Sequence, residues 1–158
     1  MAPGDLAEVV ALCALHAEYE NQPYREDGQA ARLHAALFGE PPLLFGWVVD
    51  AGDHLAGYMT AVTEFATWPA RSFVYMDTLY LREAWRGQGL GRALMETLAA
   101  FAADRGLGEL QWQTPPDNAS GIAFYRRIGA RELPKSRFVL PVPADGPALA
   151  GRDRESVG

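Results

Sequence analysis

The stretch Leu81-Arg-Glu-Ala-Trp-Arg-Gly-Gln-Gly-Leu-Gly91 decides how this chain is read. Three glycines, Gly87, Gly89 and Gly91, fall within five residues. Before them, Ser72 to Leu81 is rich in aromatic and β-branched residues and predicts a strand. After them, Leu90, Leu94, Leu98 and Phe101 share one helical face and Gly106 stops the run, which predicts a long helix. A glycine turn between a strand and a helix N-terminus lets the backbone approach a ligand and aim its N–H groups at it. With the positive end of the helix dipole, those donors form an anion site suited to a pyrophosphate, flanked by Arg86 and Arg92. Two other phosphate loops are excluded. A Walker loop ends Gly-Lys-Ser/Thr, and this one ends Gly91-Arg92-Ala93. A dinucleotide fingerprint has a longer gap before its third glycine than the step from Gly89 to Gly91. Standing alone, such a loop is also compatible with a glycine-rich turn that holds nothing.

Working outward, the N-terminal side begins with a predicted helix. Asp5 is a candidate N-cap with Glu8 completing a capping box, and Leu6, Val9, Val10, Cys13 and Ala17 form its apolar stripe. Polar residues from Glu18 to Gly28 interrupt the pattern, and a second short helix is predicted from Gln29 to Phe38, with Leu33, Leu37 and Phe38 inward and Gly39 as its stop. After Pro41-Pro42 the period becomes that of strands. Leu44 to Val49 and Leu55 to Phe65 flank the hairpin signal Asp50-Ala-Gly-Asp53, and Trp68-Pro69 marks a loop. On the C-terminal side, Glu109 to Thr114 predicts a strand, Asn118 to Ile128 a helix stopped by Gly129, and Arg137 to Leu140 a last strand. The order α-α-β-β-β-α-β-α-β is that of an α/β fold, a mixed sheet with helices on both faces. The predicted domain spans 1–140, and the Pro-, Gly- and Ala-rich tail, 141–158, is expected to be loosely ordered.

Composition narrows the function classes. The 158 residues are 49% hydrophobic and 22% charged, as in a globular domain. No run of apolar residues is long enough to span a membrane, and the start, Met-Ala-Pro-Gly-Asp, is not a signal peptide. A net charge of −6 argues against a nucleic-acid partner and suits a cationic small substrate, though such a surface also serves solubility alone. One cysteine, Cys13, fits a reducing compartment, so the expected location is cytoplasmic. On an apolar helix face, Cys13 reads as packed rather than nucleophilic. His16, His34 and His54 have no ligand spacing and no Cys/His cluster exists, so no metal is expected. Trp47, Trp68, Trp85 and Trp112 read as core or rim aromatics, with Trp68 and Trp85 alternatively bordering a cleft.

About 27 residues beyond Gly91 comes a second motif, Asn118-Ala-Ser-Gly-Ile-Ala-Phe-Tyr-Arg-Arg-Ile-Gly-Ala130. Together with Arg86-Gly-Gln-Gly-Leu-Gly91, it resembles the paired signatures of the GNAT acetyltransferase superfamily, over roughly residues 5 to 140. The resemblance implies the GNAT fold, with a mixed, mostly antiparallel central sheet, and acetyl-CoA as co-substrate. It implies that Leu79, Tyr80 and Leu81 pair with the pantetheine arm, and that Arg86, Gly87, Gln88, Gly89, Leu90, Gly91 and Arg92 hold the pyrophosphate. Asn118 is implied to touch the cofactor near its reactive end. Arg126 or Arg127 is implied for the 3′-phosphate, unless that face is simply solvated. Tyr125 is implied to protonate the departing thiolate, against the plainer role of a core aromatic. Family members open with a strand, whereas this sequence opens at the first helix, so either that strand is missing or the sheet edge is covered another way. A homodimer is a further family-based expectation, supported by the aromatic strands.

The chemistry fits these residue types. Holding an amine of pKa ~10.4 neutral near pH 7.4 costs about 4 kcal/mol, so a general base helps. Attack on a thioester builds an oxyanion that backbone N–H groups near Leu79 can stabilise, and a phenol can then protonate the leaving sulfur. Glu18-Tyr-Glu20, Leu37-Phe-Gly-Glu-Pro-Pro42 and Tyr75-Met-Asp-Thr-Leu-Tyr80 are similar to the diamine (spermidine/spermine) and thialysine acetyltransferase group. That group carries paired acids where this chain has Met76-Asp77. The expected acceptor is a primary amine of a small, cationic molecule, met by Asp77, Glu20 and Glu18. The alternatives are a protein or peptide N-acetyltransferase and a catalytically silent acyl-CoA-binding regulatory module.

Overall fold

The alternation of apolar residues between Phe45 and Leu81 folds as an antiparallel meander in the computed structural model, which describes residues 1–142. Strands β1 (Phe45–Asp50), β2 (Leu55–Ala66) and β3 (Arg71–Leu81) lie side by side in chain order, and β4 (Leu110–Gln111) adds to β3 in parallel. The β1–β2 turn closes as its sequence predicts. Gly52 takes a φ of +95°, and its N–H donates to Asp50 Oδ1 at 2.7 Å.

Helices cover both faces of this sheet. On one, Leu94, Met95, Leu98 and Ala102 of α3 (Leu90–Ala103) pack on Met59, Ala61, Val74 and Met76. On the other, Val9 and Leu12 of α1 (Leu6–Tyr19) pack on Leu55, Tyr58 and Tyr80. Truncating a fully buried residue such as Leu12 or Leu98 to alanine costs about 2–5 kcal/mol. The remaining helices are α2 (Gln29–Phe38) and α4 (Ala119–Arg127). Among the described residues no helix is long and apolar enough to cross a membrane.

Two irregularities shape the centre of the sheet. Thr60 faces Thr78 while Ala61 faces Met76, so Asp77 is the extra residue of a β-bulge in β3. The bulge resets the inward parity: Val74 and Met76 before it, and Leu81 after it, enter the same core. In addition, β4 pairs with β3 only at Val74 and Tyr75. From Met76 to Leu81, β3 is bonded along one edge to β2 and has no strand on its other edge among the described residues.

Three local expectations need correction. Asp5 lies in helical backbone at the end of a short 3₁₀ turn, so it cannot cap α1; its carboxylate accepts from Ala2 N–H at 2.6 Å. Glu8 accordingly closes no capping box and accepts instead from Leu55 N–H at 2.7 Å, tying α1 to β2. The strand expected over Glu109 to Thr114 is reduced to two residues, and Arg137 to Leu140 form no strand, with Phe138 90% exposed. Strand propensity is realised only where a ladder partner exists, and among the described residues 137–140 have none. At the other sheet edge, the Met1 ammonium group donates to Gly46 O of β1 at 3.3 Å. The expectation for the tail lies, from residue 143 on, outside the described residues.

Candidate active site

The divergence of β3 from β4 opens a cavity of about 710 Å³. Its floor is β3 from Met76 to Leu81, and its rim is formed by the end of α1, the glycine turn, and α4 with the residues before it.

At the glycine-turn end, Gly87 and Gly89 take φ values of +75° and +83°, a left-handed conformation that favours glycine. A Cβ at either position would meet nothing within 4 Å, so both face open space. Gly89 directly precedes α3 and brings the first N–H groups of that helix to the cavity. Gly91 has a packing reason as well, since a Cβ there would sit 3.3 Å from the Phe124 ring. Arg86 lines the cavity with its Nε donating to Leu81 O at 2.9 Å and its guanidinium 4.3 Å from the centre of the Tyr19 ring. Arg92 also lines it, paired with Glu96 at 2.8 Å and largely exposed. Arg127 is a third cation on the lining, whereas Arg126 pairs with Glu132 at 2.6 Å. The unpaired β3 edge, the glycine turn and three arginines therefore surround one space, which fits an extended polar ligand with an anionic end.

From α1 and the bulge the lining groups are side chains. His16, Tyr19 and Glu20 come from the end of α1, and Asp77 and Thr78 from the bulge. Asp77 is exposed, with Thr78 Oγ1 donating to its Oδ2 at 3.4 Å. Tyr19 donates to Asn118 Oδ1 at 3.1 Å. Asn118 caps α4 by accepting from Gly121 N–H at 3.1 Å and donates from Nδ2 to Thr114 Oγ1 at 2.9 Å. One carboxamide thus fixes the start of α4, the strand exit and the tyrosine of α1.

Tyr125 lies on α4, packed against Trp112 and Phe124 with ring centres at 5.0 and 5.2 Å, and it lines the cavity. Burial first, then the nearby Glu20 and Tyr19, pushes its pKa up to about 12. The phenol therefore keeps its proton through the neutral range. Burial likewise pushes the Cys13 thiol up, which keeps it protonated and fits a packed cysteine.

The sequence-derived site residues Asp77, Leu79, Tyr80, Leu81, Arg86, Gly87, Gly89, Gly91, Arg92, Asn118, Tyr125 and Glu20 all line this cavity. Three others are not on its lining. Gln88 closes the turn by donating to Ala84 O at 2.8 Å, Leu90 packs against the core, and Glu18 is exposed on α1. Neither tryptophan weighed for a cleft borders this one. Trp68 is fully exposed in the β2–β3 turn, and Trp85 packs edge-on against His54 at 5.9 Å. Sequence reasoning missed His16, Tyr19, Gln113, Thr114 and Ser120. The one local signal was the i, i+4 spacing of His16 and Glu20.

Comparison with known proteins agrees with this geometry. Residues 9–130 match the acetyltransferase (GNAT) family. The thialysine N-epsilon-acetyltransferase of Bos taurus is 27% identical over 138 residues, covering 82% of this chain and 81% of its own. That of Caenorhabditis elegans is 26% identical over 149 residues, covering 94% and 91%. A solved aminoglycoside acetyltransferase from an uncultured soil metagenomic sample superposes with a TM-score of 0.76 at 18% identity, covering 90% of this chain and 93% of its own, which bears on the fold alone. A glycine turn before α3, a β3 edge left unpaired beyond its bulge, and a family match across both motifs establish that the chain is a member of the GNAT acetyltransferase family and an N-acetyltransferase.

Proposed function

We propose that the protein transfers the acetyl group of acetyl-CoA to a primary amine of a small, cationic acceptor. What supports this reading is that one cavity is lined by the glycine turn with Arg86 and Arg92, by the acids Asp77 and Glu20, and by Tyr125. In this reading the β3 edge at Leu79, Tyr80 and Leu81 takes the pantetheine arm as an added strand. The glycine turn, with Arg86 and Arg92, takes the pyrophosphate. N–H groups of the β3 edge face the thioester oxygen and stabilise charge developing on it. Tyr125, protonated at neutral pH, is the acid for the departing sulfur.

The acceptor is read from the acids on the same lining. A carboxylate in a partly desolvated cleft favours a cation by about 1–3 kcal/mol, or roughly ten- to a hundredfold, with half-buried Glu20 nearer the upper end and exposed Asp77 at the lower. The thialysine N-epsilon-acetyltransferases are named for acetylating a side-chain amine, and their likeness spans most of this chain. A homodimer belongs to the same reading, supported by the exposed apolar residues Leu133, Phe138 and Val139, and a monomer mass in light scattering at micromolar concentration would count against it.

The test is thiol release from acetyl-CoA across amines, amino acids, aminoglycosides and peptides. The best acceptor is expected to be a small amine with a second positive charge. A neutral or acidic best acceptor would overturn the cation pocket, and a best acceptor among the peptides would favour a protein substrate.

A further inference from the structure

We propose that His16, held by Glu20, is the general base that removes the proton from the acceptor ammonium group. This inference rests on the acetyl-CoA-to-amine reading and adds the group which that reading leaves unnamed.

His16 and Glu20 stand one turn apart near the end of α1, and both reach the cavity. His16 Nε2 lies 3.2 Å from Glu20 Oε1, and the His16 side chain is 19% exposed. Its ring stacks on Tyr80 of β3 with centres 5.1 Å apart and meets Tyr58 of β2 edge-on at 6.4 Å. An imidazole clamped between a carboxylate and two rings, and still partly exposed on the cavity lining, has a fixed position and access to solvent. Nε2 is turned to Glu20, and Nδ1 makes no hydrogen bond among the described residues, so Nδ1 is the nitrogen left to accept a proton.

The other ionisable groups around the cavity are less suited to the task. Asp77 and Glu20 are carboxylates, placed in the proposed reading to attract the acceptor's charge, and Glu20 is already engaged with His16. Tyr19, Tyr58, Tyr80 and Tyr125 are phenols, which are proton donors at neutral pH. Cys13, one turn earlier on α1 and bonded to Tyr58, is kept a thiol by burial. Arg86 lies over Tyr19 and Tyr80 and holds no transferable proton. Imidazole is the side chain that most often serves as a general base, because one ring nitrogen can accept a proton while the other donates to a carboxylate.

The protons balance. His16 takes one proton from R–NH₃⁺ and releases it to water. The neutral nitrogen attacks the thioester carbonyl carbon, the C–N bond forms and the C–S bond breaks. Tyr125 gives its proton to the departing sulfur and recovers one from the nitrogen that has become cationic. The products are the acetamide, the free thiol and one proton in solution. Glu20 faces the imidazolium that forms and stabilises it, which makes it a positioning residue.

His16→Gln keeps size and polarity and removes the basic nitrogen. With saturating acetyl-CoA and an acceptor whose ammonium pKa is ~10.4, kcat/KM at pH 7 is expected to fall roughly 10²-fold. The deficit should narrow steadily as pH rises toward 10, because solution then delivers the neutral amine. With a weakly basic amine, already neutral at pH 7, the variant and the parent should be nearly equal. Acetyl-CoA affinity, measured by calorimetry, should not change. A deficit equal for both acceptors and constant with pH would reduce His16 to a structural role and overturn the proposal, as would full activity of the variant. Absence of thiol release by the parent protein with every amine is a different failure, that of the acetyl-transfer reading itself.

Discussion

Around the glycine turn the cavity lining is backbone flanked by Arg86, Arg92 and Arg127, whereas the end of α1 and the bulge of β3, two elements some 60 residues apart, line it with the side chains of His16, Tyr19, Glu20 and Asp77. The difference lies in how each end can be damaged. A backbone site tolerates changes of polarity and fails when bulk is added, because its donors persist under any side chain that leaves the turn intact. A side-chain site tolerates small changes of shape and fails when a charge or a proton is removed. Substitutions that add bulk at one end and delete charge at the other should therefore separate donor binding from acceptor binding.

The largest effect is expected from Gly89→Val. Its φ of +83° strains a side-chain-bearing residue by about 1–2 kcal/mol, and the new branches enter space now open to a ligand. Loss of two charge-assisted hydrogen bonds at about 1.5 kcal/mol each corresponds to roughly 10²-fold weaker acetyl-CoA binding. Calorimetry on the folded variant checks this, and unchanged affinity would remove the turn from the donor site.

Tyr125→Phe sharpens the comparison from the cavity wall. Turnover should drop roughly 10²-fold with acetyl-CoA affinity little changed, since a thiolate can leave without full protonation. The same phenol predicts a stability effect. Its folded pKa, about 12, lies above the free value of 10.0, so its contribution is fully present below pH 10 and is lost as pH rises toward 12. Two units at ~1.36 kcal/mol each make this about 3 kcal/mol. Chemical denaturation of Tyr125→Phe across that window should show a shallower alkaline loss than the parent; parallel curves would mean that the phenol is not held in its neutral form.

The glycine turn was legible because everything that forms it is local. Close approach, turn and helix start lie within Arg86 to Arg92, and Asn118 and Tyr125 follow in one short helix. The meander was legible for the same reason, each strand being marked by its own period and turn. The α1 end was not. His16 carries no motif, and its role arises only when α1 crosses β2 and β3, bringing Tyr58 and Tyr80 under its ring. Tyr19 likewise meets Asn118 and Arg86 only through the fold. Asp77 is intermediate. An acid inside an apolar strand was visible in the sequence, but that it is the bulged residue which resets the strand follows only from register. The strand expected over 137–140 failed because propensity without a partner edge decides nothing.

Two smaller effects test the acceptor end. Asp77→Asn keeps the size and removes the charge, so the KM for a cationic amine should rise about tenfold with acetyl-CoA kinetics spared, and added salt should shrink the difference. Kinetics untouched by this change would take Asp77 out of the acceptor site. Glu18→Gln should change no kinetic constant by as much as twofold, because Glu18 points to solvent away from the cavity. A Glu18 effect as large as that of Asp77 would mean that general surface charge, and not a formed pocket, selects the acceptor.

The most direct test of the central claim follows the acetyl group itself. The protein, acetyl-CoA and the best amine of the panel are incubated together, and free thiol and acetylated amine are quantified in the same sample. One thiol per acetamide, with acetyl on the primary nitrogen and none formed without protein, is the predicted result. Thiol released without acetamide, or acetyl-CoA bound but never consumed with any amine, would contradict it.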